Sequence, residues 1–203
     1  MSSVGTEALS LLDWRRRVNE LYADVRRLSA EDPSEAHRVW RERRDDLFAS
    51  HDQSPVPDRA AFNGLSYFPY DAAWRAEVEV EPAPARRLTV QSGTGEDFDL
   101  DRLGIVAIPG GTLEVHWIDV YGGGVFVPVH DLTGGRTSYG GGRYVLDTAK
   151  GADLGGAGDK LVIDLNFAYS PSCAFDPRWS CPLAPQGNRL SVAVEAGEQL
   201  RSL

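Results

Sequence analysis

The stretch that decides the fold runs from residue 160 to residue 169 and reads Lys160-Leu-Val-Ile-Asp164-Leu-Asn166-Phe-Ala-Tyr169. Apolar residues on both faces of residues 161–167 predict a central strand that is covered on both sides. Because side chains alternate along a strand, Asp164 and Asn166 are expected on the same face, in a largely dry layer. A buried carboxylate needs compensating partners. The pattern therefore predicts either a structural ion pair or a ligand site around Asp164.

Arg143 is the candidate partner of that carboxylate. It follows the glycines 140–142, which favour a tight turn over a phosphate loop because the Gly-Lys-Ser/Thr ending of such a loop is missing. A guanidinium forms two parallel hydrogen bonds with a carboxylate. We expect Arg143 to contact Asp164 or the acid group of a ligand. The other predicted members of this cluster are Asn166, Asn188 and Glu198.

Two cysteines, Cys173 and Cys181, lie in a proline-rich loop after the predicted strand. No C-x-x-C or H-x-x-x-H spacing supplies further zinc ligands, so we predict no metal site. Thiols packed as small hydrophobes are the favoured interpretation, and a redox-sensitive disulfide is the second. A nucleophilic cysteine needs a histidine close in space, and His116 and His130 are the histidines of the β-rich part.

Composition limits the partners and the compartment. The formal net charge of the 203 residues is −9, so we expect no nucleic-acid partner. No apolar run reaches the length of a membrane span. The N-terminus lacks the basic and apolar regions of a secretory signal. These observations predict a soluble, cytoplasmic protein with reduced cysteines.

Residues 1–50 form the predicted N-terminal helical segment. Its first helix has apolar residues at spacings of three and four, namely Leu11, Trp14, Val18, Leu21, Val25 and Leu28. This helix is interpreted as a lid on the rest of the chain or as an element of a homodimer; mixed charges disfavour a membrane-surface helix. A second helix is expected at residues 34–49. Its few apolar residues predict a surface helix with His37 and His51 in solvent.

Residues 60–203 form the predicted β-rich domain, because the apolar period changes to two. The predicted strands cover residues 74–80, 86–91, 103–108, 112–121, 125–129, 144–146, 161–167 and 190–194. Without long helices between them, the strands should pair mostly antiparallel. We therefore predict an α+β fold, a mostly antiparallel β sandwich or partly open barrel with the N-terminal helices packed on one side.

Several motifs resemble a bacterial and archaeal family of uncharacterised proteins, catalogued as a domain of unknown function. They are Ser138-Tyr139-Gly-Gly-Gly-Arg143-Tyr144, Ile163-Asp-Leu-Asn-Phe-Ala-Tyr169-Ser-Pro-Ser-Cys173-Ala-Phe, Cys181-Pro-Leu-Ala-Pro, Asn188-Arg-Leu and Glu195-Ala-Gly-Glu198. The typical signature is TYGxGRY … DFNxAYNPxCA[FY] … CPLPPxENRL … AGE. Leu165, Ser170 and Gly187 depart from it. The resemblance covers roughly residues 35–200 and implies a shared fold and polar cluster, without an activity.

Three classes of function remain open. The favoured one is a small-molecule-binding β domain for a small polar or anionic ligand, since no nucleophile–base pair or cofactor fingerprint is visible. The predicted ligand-binding residues are Tyr139, Arg143, Asp164, Asn166, Tyr169, Cys173 and Asn188. The second class is a hydrolase- or lyase-type enzyme with Asp164 or Glu198 as general base. The third is a purely structural polar cluster.

Overall fold

The computed structural model describes residues 3–200, and it begins with two antiparallel-packed elements, α1 (Ser3–Ser29) and α2 (Pro33–Ser50). Both predicted helices are confirmed. Asp32 starts α2, because its carboxylate accepts the backbone N–H groups of Ser34 and Glu35 at 2.9 and 3.1 Å. Pro33 occupies the first helical turn, where its missing N–H costs nothing.

The prediction of α2 as a surface helix is wrong. Ala36 and Trp40 are fully inaccessible, and Phe48 is also buried. His37 and His51, which the sequence placed in solvent, are 2% and 8% exposed. The apolar stripe was underestimated because Arg44, which continues it, was counted with the solvated charges although it too is buried.

Nine strands follow the helices within residues 3–200. They are β1 (Ser66–Tyr67), β2 (Arg75–Glu79), β3 (Arg87–Gln91), β4 (Asp97–Ile108), β5 (Gly111–Ile118), β6 (Gly124–Val129), β7 (Arg143–Asp147), β8 (Lys160–Asp164) and β9 (Glu198–Gln199). β3 to β7 form an antiparallel sheet in sequence order, while β2 pairs with β8 and β1 with β9, also antiparallel. The α+β class is confirmed, and the five-stranded sheet is open, with β3 and β7 at its edges.

Two predicted strands differ from the structure. The strand predicted at residues 161–167 ends at Asp164, and Leu165–Phe167 is a single 3₁₀ turn. The Asp164 carboxylate accepts the backbone N–H of Asn166 at 3.0 Å, so the aspartate caps the turn instead of extending the strand. Residues 190–194 form no strand, although a bridge joins Arg189 to His130 just before them.

One main hydrophobic core joins the helices to the β-rich part. Leu21 and Val25 of α1, Trp40 of α2, Val145 of β7 and Phe167 belong to it. The predicted division into a helical segment, residues 1–50, and a β-rich domain, residues 60–203, stays a prediction. Neither α1 nor α2, the α-helices within residues 3–200, is long and apolar enough to cross a membrane.

Candidate functional site

Arg143, at the start of β7, lies in a buried ion pair with Asp131. Its Nη2 is 2.8 Å from the Asp131 carboxylate, and the two side chains are 0% and 2% exposed. The same guanidinium donates to the backbone carbonyls of Val194 at 3.1 Å and Glu198 at 3.2 Å, and to that of Ala196. The prediction that Arg143 pairs with Asp164 is wrong. Arg143 instead holds the C-terminal segment against β7.

Hydrogen bonds to the other oxygen of Asp131, in the loop after β6, orient its carboxylate for this pair. Its Oδ1 accepts the backbone N–H and the hydroxyl of Thr133 at 2.9 and 2.6 Å, and the backbone N–H of Val194 at 3.0 Å. Burial alone raises the pKa of this carboxyl, but the charge of Arg143 and the Thr133 hydrogen bonds hold it below its usual value. The pair is therefore ionised and structural.

Asp164 and Asn166 form a second cluster, at the end of β8. Asp164 Oδ1 accepts the Asn166 side-chain amide at 2.8 Å, and Asn166 also binds the backbone of Asp71. Asp164 Oδ2 is buried without a hydrogen-bond partner among residues 3–200, and Arg75 Nε lies 3.8 Å away. Burial raises the pKa of Asp164 to about 6. The amide and the carboxylate do contact each other, as predicted.

Asn188 lies in a third cluster, under β5 and β6. Its side-chain oxygen is 3.0 Å from Nε2 of His116, and its amide donates to the carbonyls of Glu114 and Pro128. All the polar atoms of the Asn188 side chain are thus used within the protein. The predicted single cluster of Arg143, Asp164 and Asn188 is separated into three.

Tyr139 and Cys173 form a fourth group with Cys181. The Tyr139 hydroxyl donates to Cys173 Sγ at 3.6 Å, and the two cysteines are free thiols in the same apolar cluster. Cys181 is 2% exposed and packs in a small apolar cluster with Phe126 and Tyr144. The favoured interpretation, packed thiols, agrees with this arrangement.

Glu198 pairs with a residue that the sequence did not identify, Arg44 of α2. Their side chains are 2.6 Å apart and 2% and 8% exposed, respectively. The Arg44 guanidinium carbon lies 4.8 Å from the ring centre of Trp40, 5.0 Å from that of Phe48 and 5.1 Å from that of Tyr169. Glu198 Oε2 also accepts the Ser170 N–H at 3.3 Å. Burial raises the pKa of Glu198.

Gly197 fixes the position of this glutamate. Its φ of +78° lies in the left-handed region, and a Cβ would come within 2.5 Å of the Ala168 carbonyl oxygen. The next residue, Glu198, donates its N–H to the same carbonyl at 2.8 Å. Glycine is therefore required where the C-terminal segment passes close to residues 165–168.

A cavity of about 100 Å³, partly open to solvent, lies between the helices and the edge strand β7. We call it the helix–sheet pocket. Its lining comprises Trp14, Val18, Leu21, Tyr22, Arg44, Leu47, Phe48, Tyr144, Asp147, Lys150, Ala152, Tyr169, Ser170, Pro171, Ser172 and Cys181. Most of these side chains are apolar or aromatic, with a few polar groups among them, which is the usual composition of a small-molecule site.

Two lining residues carry polar groups with few protein partners. The Tyr22 hydroxyl is buried and has no partner at good hydrogen-bond geometry in the part of the chain that the structure describes, although the Trp40 side chain is near enough to act on its pKa. Burial raises the pKa of Tyr22 to about 12. Asp147 ends β7 with a side chain that is 5% exposed, and its cationic neighbour, Lys150 Nζ, is 3.9 Å away and largely in solvent. Burial raises the pKa of Asp147 as well.

The pocket contains one of the predicted ligand-binding residues, Tyr169. The remaining predicted residues, Tyr139, Arg143, Asp164, Asn166, Cys173 and Asn188, do not line it. Sequence reasoning missed Tyr22, Arg44 and Asp147. The first two were detectable in part, because Tyr22 follows Leu21 on the apolar side of α1 and Arg44 stands four residues after Trp40 on that of α2.

Comparison with known proteins gives a family without an activity. Residues 60–199 match the model of the family described as "Protein of unknown function (DUF1684)". The solution NMR structure of an uncharacterised protein of Haloarcula marismortui is similar at 34% identity and a TM-score of 0.58, over 84% of this chain and 96% of that one. No protein of curated function matches the sequence significantly.

Proposed function

Because this chain belongs to the DUF1684 family, whose description names no activity, we propose a function from the helix–sheet pocket: it binds a small organic molecule there. The observation that carries the proposal is the buried hydroxyl of Tyr22 in the wall of a partly open cavity: within residues 3–200 it has no partner at good hydrogen-bond geometry, and its neighbour Trp40 only lowers its pKa slightly against the effect of burial. Buried hydroxyl groups are nearly always hydrogen bonded, so this one favours a ligand group as its partner.

The size and walls of the pocket define the body of the ligand. An apolar cavity of about 150 Å³ holds benzene. The cavity here, about 100 Å³, fits an apolar body somewhat smaller than that ring, with the remainder of the molecule in the open mouth. Val18, Leu21 and Phe48 supply the apolar surface, and Tyr169 supplies an aromatic wall.

The charges of the pocket define the head group. Arg44 is neutralised by Glu198, and Lys150 is 60% exposed, so no free cation faces the interior among the described lining residues. Asp147 is buried and acidic. A head group that donates hydrogen bonds, an alcohol or an ammonium, therefore suits the interior better than an anion; of the polar or anionic ligand expected from the sequence, the proposal keeps the polar alternative. In this proposal Arg143, Asp164, Asn166 and Asn188 hold the frame and do not contact the ligand.

Chemical-shift mapping by NMR with three matched probes tests the proposal: n-butanol, n-butylammonium and butyrate. We expect the alcohol and the ammonium to shift the amides of residues lining the pocket, and butyrate to leave them unchanged. Asp147→Asn should weaken the ammonium most, and Tyr22→Phe should weaken both. Asp159→Asn and Tyr121→Phe are the controls, since both residues are exposed. Binding that is unchanged in Asp147→Asn and Tyr22→Phe, or the absence of chemical-shift changes with all three probes, would contradict the proposal.

A second candidate is a hydrolase- or lyase-type enzyme that uses Glu198 in the same region. It is favoured by the contact of Glu198 with Ser170, which lines the pocket, and by the raised pKa of the glutamate. An activity screen with ester and hydroxy-acid substrates, repeated on Glu198→Gln, tests it. Turnover that survives Glu198→Gln would exclude the glutamate as the base. Asp164, the other predicted base, does not line the pocket and serves as a second variant.

The predicted homodimer through the N-terminal helices stays a prediction. Its support is a group of exposed apolar side chains in the first half of α1, namely Val4, Leu9, Leu11 and Leu12. Sedimentation equilibrium of the wild type and of Leu9→Ser/Leu12→Ser tests it. A wild-type chain that sediments as a monomer would exclude the dimer.

A further inference from the structure

Cys173 and Cys181 form a pair of unequal thiols next to the helix–sheet pocket, which Cys181 lines and Cys173 does not. Cys173 lies in the 3₁₀ turn Ser172–Ala174, and Cys181 lies seven residues beyond it, before Pro182. Both are free, and both belong to the same small apolar cluster. They pack together against Tyr144, Tyr169 and Trp179, which hold the two loop segments in contact.

The surroundings favour negative charge on the sulfur of Cys173. Its neighbour Cys181 and the Tyr139 hydroxyl, which donates a hydrogen bond to it at 3.6 Å, both act on this sulfur. Both contacts stabilise the thiolate, and they lower the pKa of Cys173 although partial burial opposes them. The neighbouring Cys173 and burial both raise the pKa of Cys181.

Solvent exposure also makes Cys173 the more reactive of the two thiols. Cys173 is partly exposed, whereas Cys181 is 2% exposed and lines the helix–sheet pocket. An oxidant in solvent therefore meets Cys173 first. The arrangement is that of an attacking thiolate with a second thiol already in contact.

We propose that Cys173 and Cys181 form a reactive dithiol site that reduces a hydroperoxide. The Cys173 thiolate attacks the terminal peroxide oxygen: an S–O bond forms, the O–O bond breaks, and the leaving alkoxide or hydroxide takes a proton from water. Cys173 is then a sulfenic acid. Cys181 then attacks the Cys173 sulfur, and its proton goes to the leaving oxygen; an S–S bond forms, the S–O bond breaks, and water leaves. The two thiols supply the two electrons that the peroxide accepts.

Hydrogen peroxide is the probe for this site, with intact-protein mass and thiol titration as readouts. We expect the native wild-type chain to lose both thiols together and to lose the mass of two hydrogens, reversibly by dithiothreitol. Cys181→Ser should stop at the sulfenic acid, which dimedone traps on Cys173. Cys173→Ser should react at least about tenfold more slowly, since one unit of thiol pKa changes the thiolate fraction about tenfold.

Alkylation of the wild-type chain gives a measurement that needs no substitution. Iodoacetamide under native conditions, followed by peptide mass spectrometry, should label Cys173 before Cys181 by a similar factor. Tyr139→Phe should move the pH profile of this labelling to higher pH, while Tyr121→Phe, in an exposed loop, should not. Equal labelling of the two cysteines, or peroxide oxidation of Cys173 to the sulfinic acid with Cys181 still reduced, would overturn the proposal.

Discussion

Arg143 Nη2 lies 2.8 Å from the carboxylate of Asp131, and neither side chain is accessible to solvent beyond 2%. The pair joins the start of β7 to the loop after β6, and through backbone contacts it fixes residues 194–198. That segment carries Glu198, the partner of Arg44 on α2. Two buried ion pairs thus connect the sheet, the C-terminal segment and the helices, next to the helix–sheet pocket.

Asp131→Ala should destabilise the protein strongly, because it leaves the charge of Arg143 buried without a partner. We expect a loss of about 3–5 kcal/mol in the free energy of unfolding. Arg143→Met should cost a similar amount, and the double variant should cost clearly less than the sum. Urea unfolding followed by tryptophan fluorescence gives the three values. Asp101→Ala, which breaks an exposed pair with Arg87, is the control and should barely move the midpoint. Additive losses would contradict a direct coupling.

The sequence placed Arg143, Asp164 and Glu198 in a buried or half-buried polar cluster but could not assign their partners. Periodicity shows which face of a strand a side chain occupies, and it correctly predicted burial at Asp164 and Asn166. Pairing across the fold depends on how distant segments meet. Asp131 is twelve residues from Arg143 in a loop, and Arg44 is 154 residues from Glu198. No local pattern in one sequence encodes such contacts.

The errors at α2 and β8 have a shared physical cause. Charged and polar residues were treated as solvated or as members of a regular element. Arg44 instead spreads its guanidinium over aromatic rings, and Asp164 uses its carboxylate to end a strand. The antiparallel strands and both helices were predictable because their periods come from side-chain burial alone.

Asp164→Asn should change how stability depends on pH. Burial raises the pKa of Asp164 to about 6, above the usual value of about 3.9 in an unfolded chain. Between these values the folded chain keeps a proton that the unfolded chain has lost, so the wild type loses stability as pH rises through this window. Asp164→Asn has no carboxyl group to titrate at this position, so its stability does not fall in this way as pH rises. Relative to the wild type, we expect it to gain up to about 3 kcal/mol between pH 4 and pH 7.

Urea unfolding of Asp164→Asn and the wild type at both pH values measures this difference. Asp159→Asn, at an exposed aspartate in the loop before β8, is the matched control. A constant offset between the Asp164→Asn and wild-type curves across the pH range would show that the carboxyl is not perturbed in the folded chain.

His37 should contribute a pH dependence of the opposite sign. Its ring lies among those of Trp40, Tyr67, Tyr70 and Phe167, at centroid distances of 5.4–6.3 Å. Burial lowers its pKa to about 4, so the unfolded chain takes up a proton first as pH falls below 6.5. The stability that the buried, neutral His37 ring contributes is fully present above pH 6.5 and is lost as pH falls toward 4.

His37→Phe keeps an aromatic ring at this position and removes the titrating group. We expect the variant to differ from the wild type by a constant packing term above pH 7. Below that, its relative stability should rise by up to about 3 kcal/mol as pH falls to 4. Thermal unfolding at intervals of pH shows the trend. Parallel curves from pH 4 to pH 7 would mean that His37 is not kept neutral by its surroundings.

Trp40→Ala tests whether α2 is a core element, as the structure has it, or a surface helix, as the sequence suggested. Trp40 is 0% exposed and contacts the rings of Tyr67 and Phe167 at 5.4 and 5.2 Å. Removing a fully buried aromatic side chain leaves a cavity, and we expect a loss of about 3–5 kcal/mol in unfolding free energy. Trp117→Ala is the matched control, because Trp117 is 40% exposed at the end of β5. Chemical denaturation of the two variants distinguishes the cases. Similar small losses of unfolding free energy in both variants would support the prediction of a surface helix. A large loss at Trp40 alone requires that α2 closes the core beside the helix–sheet pocket.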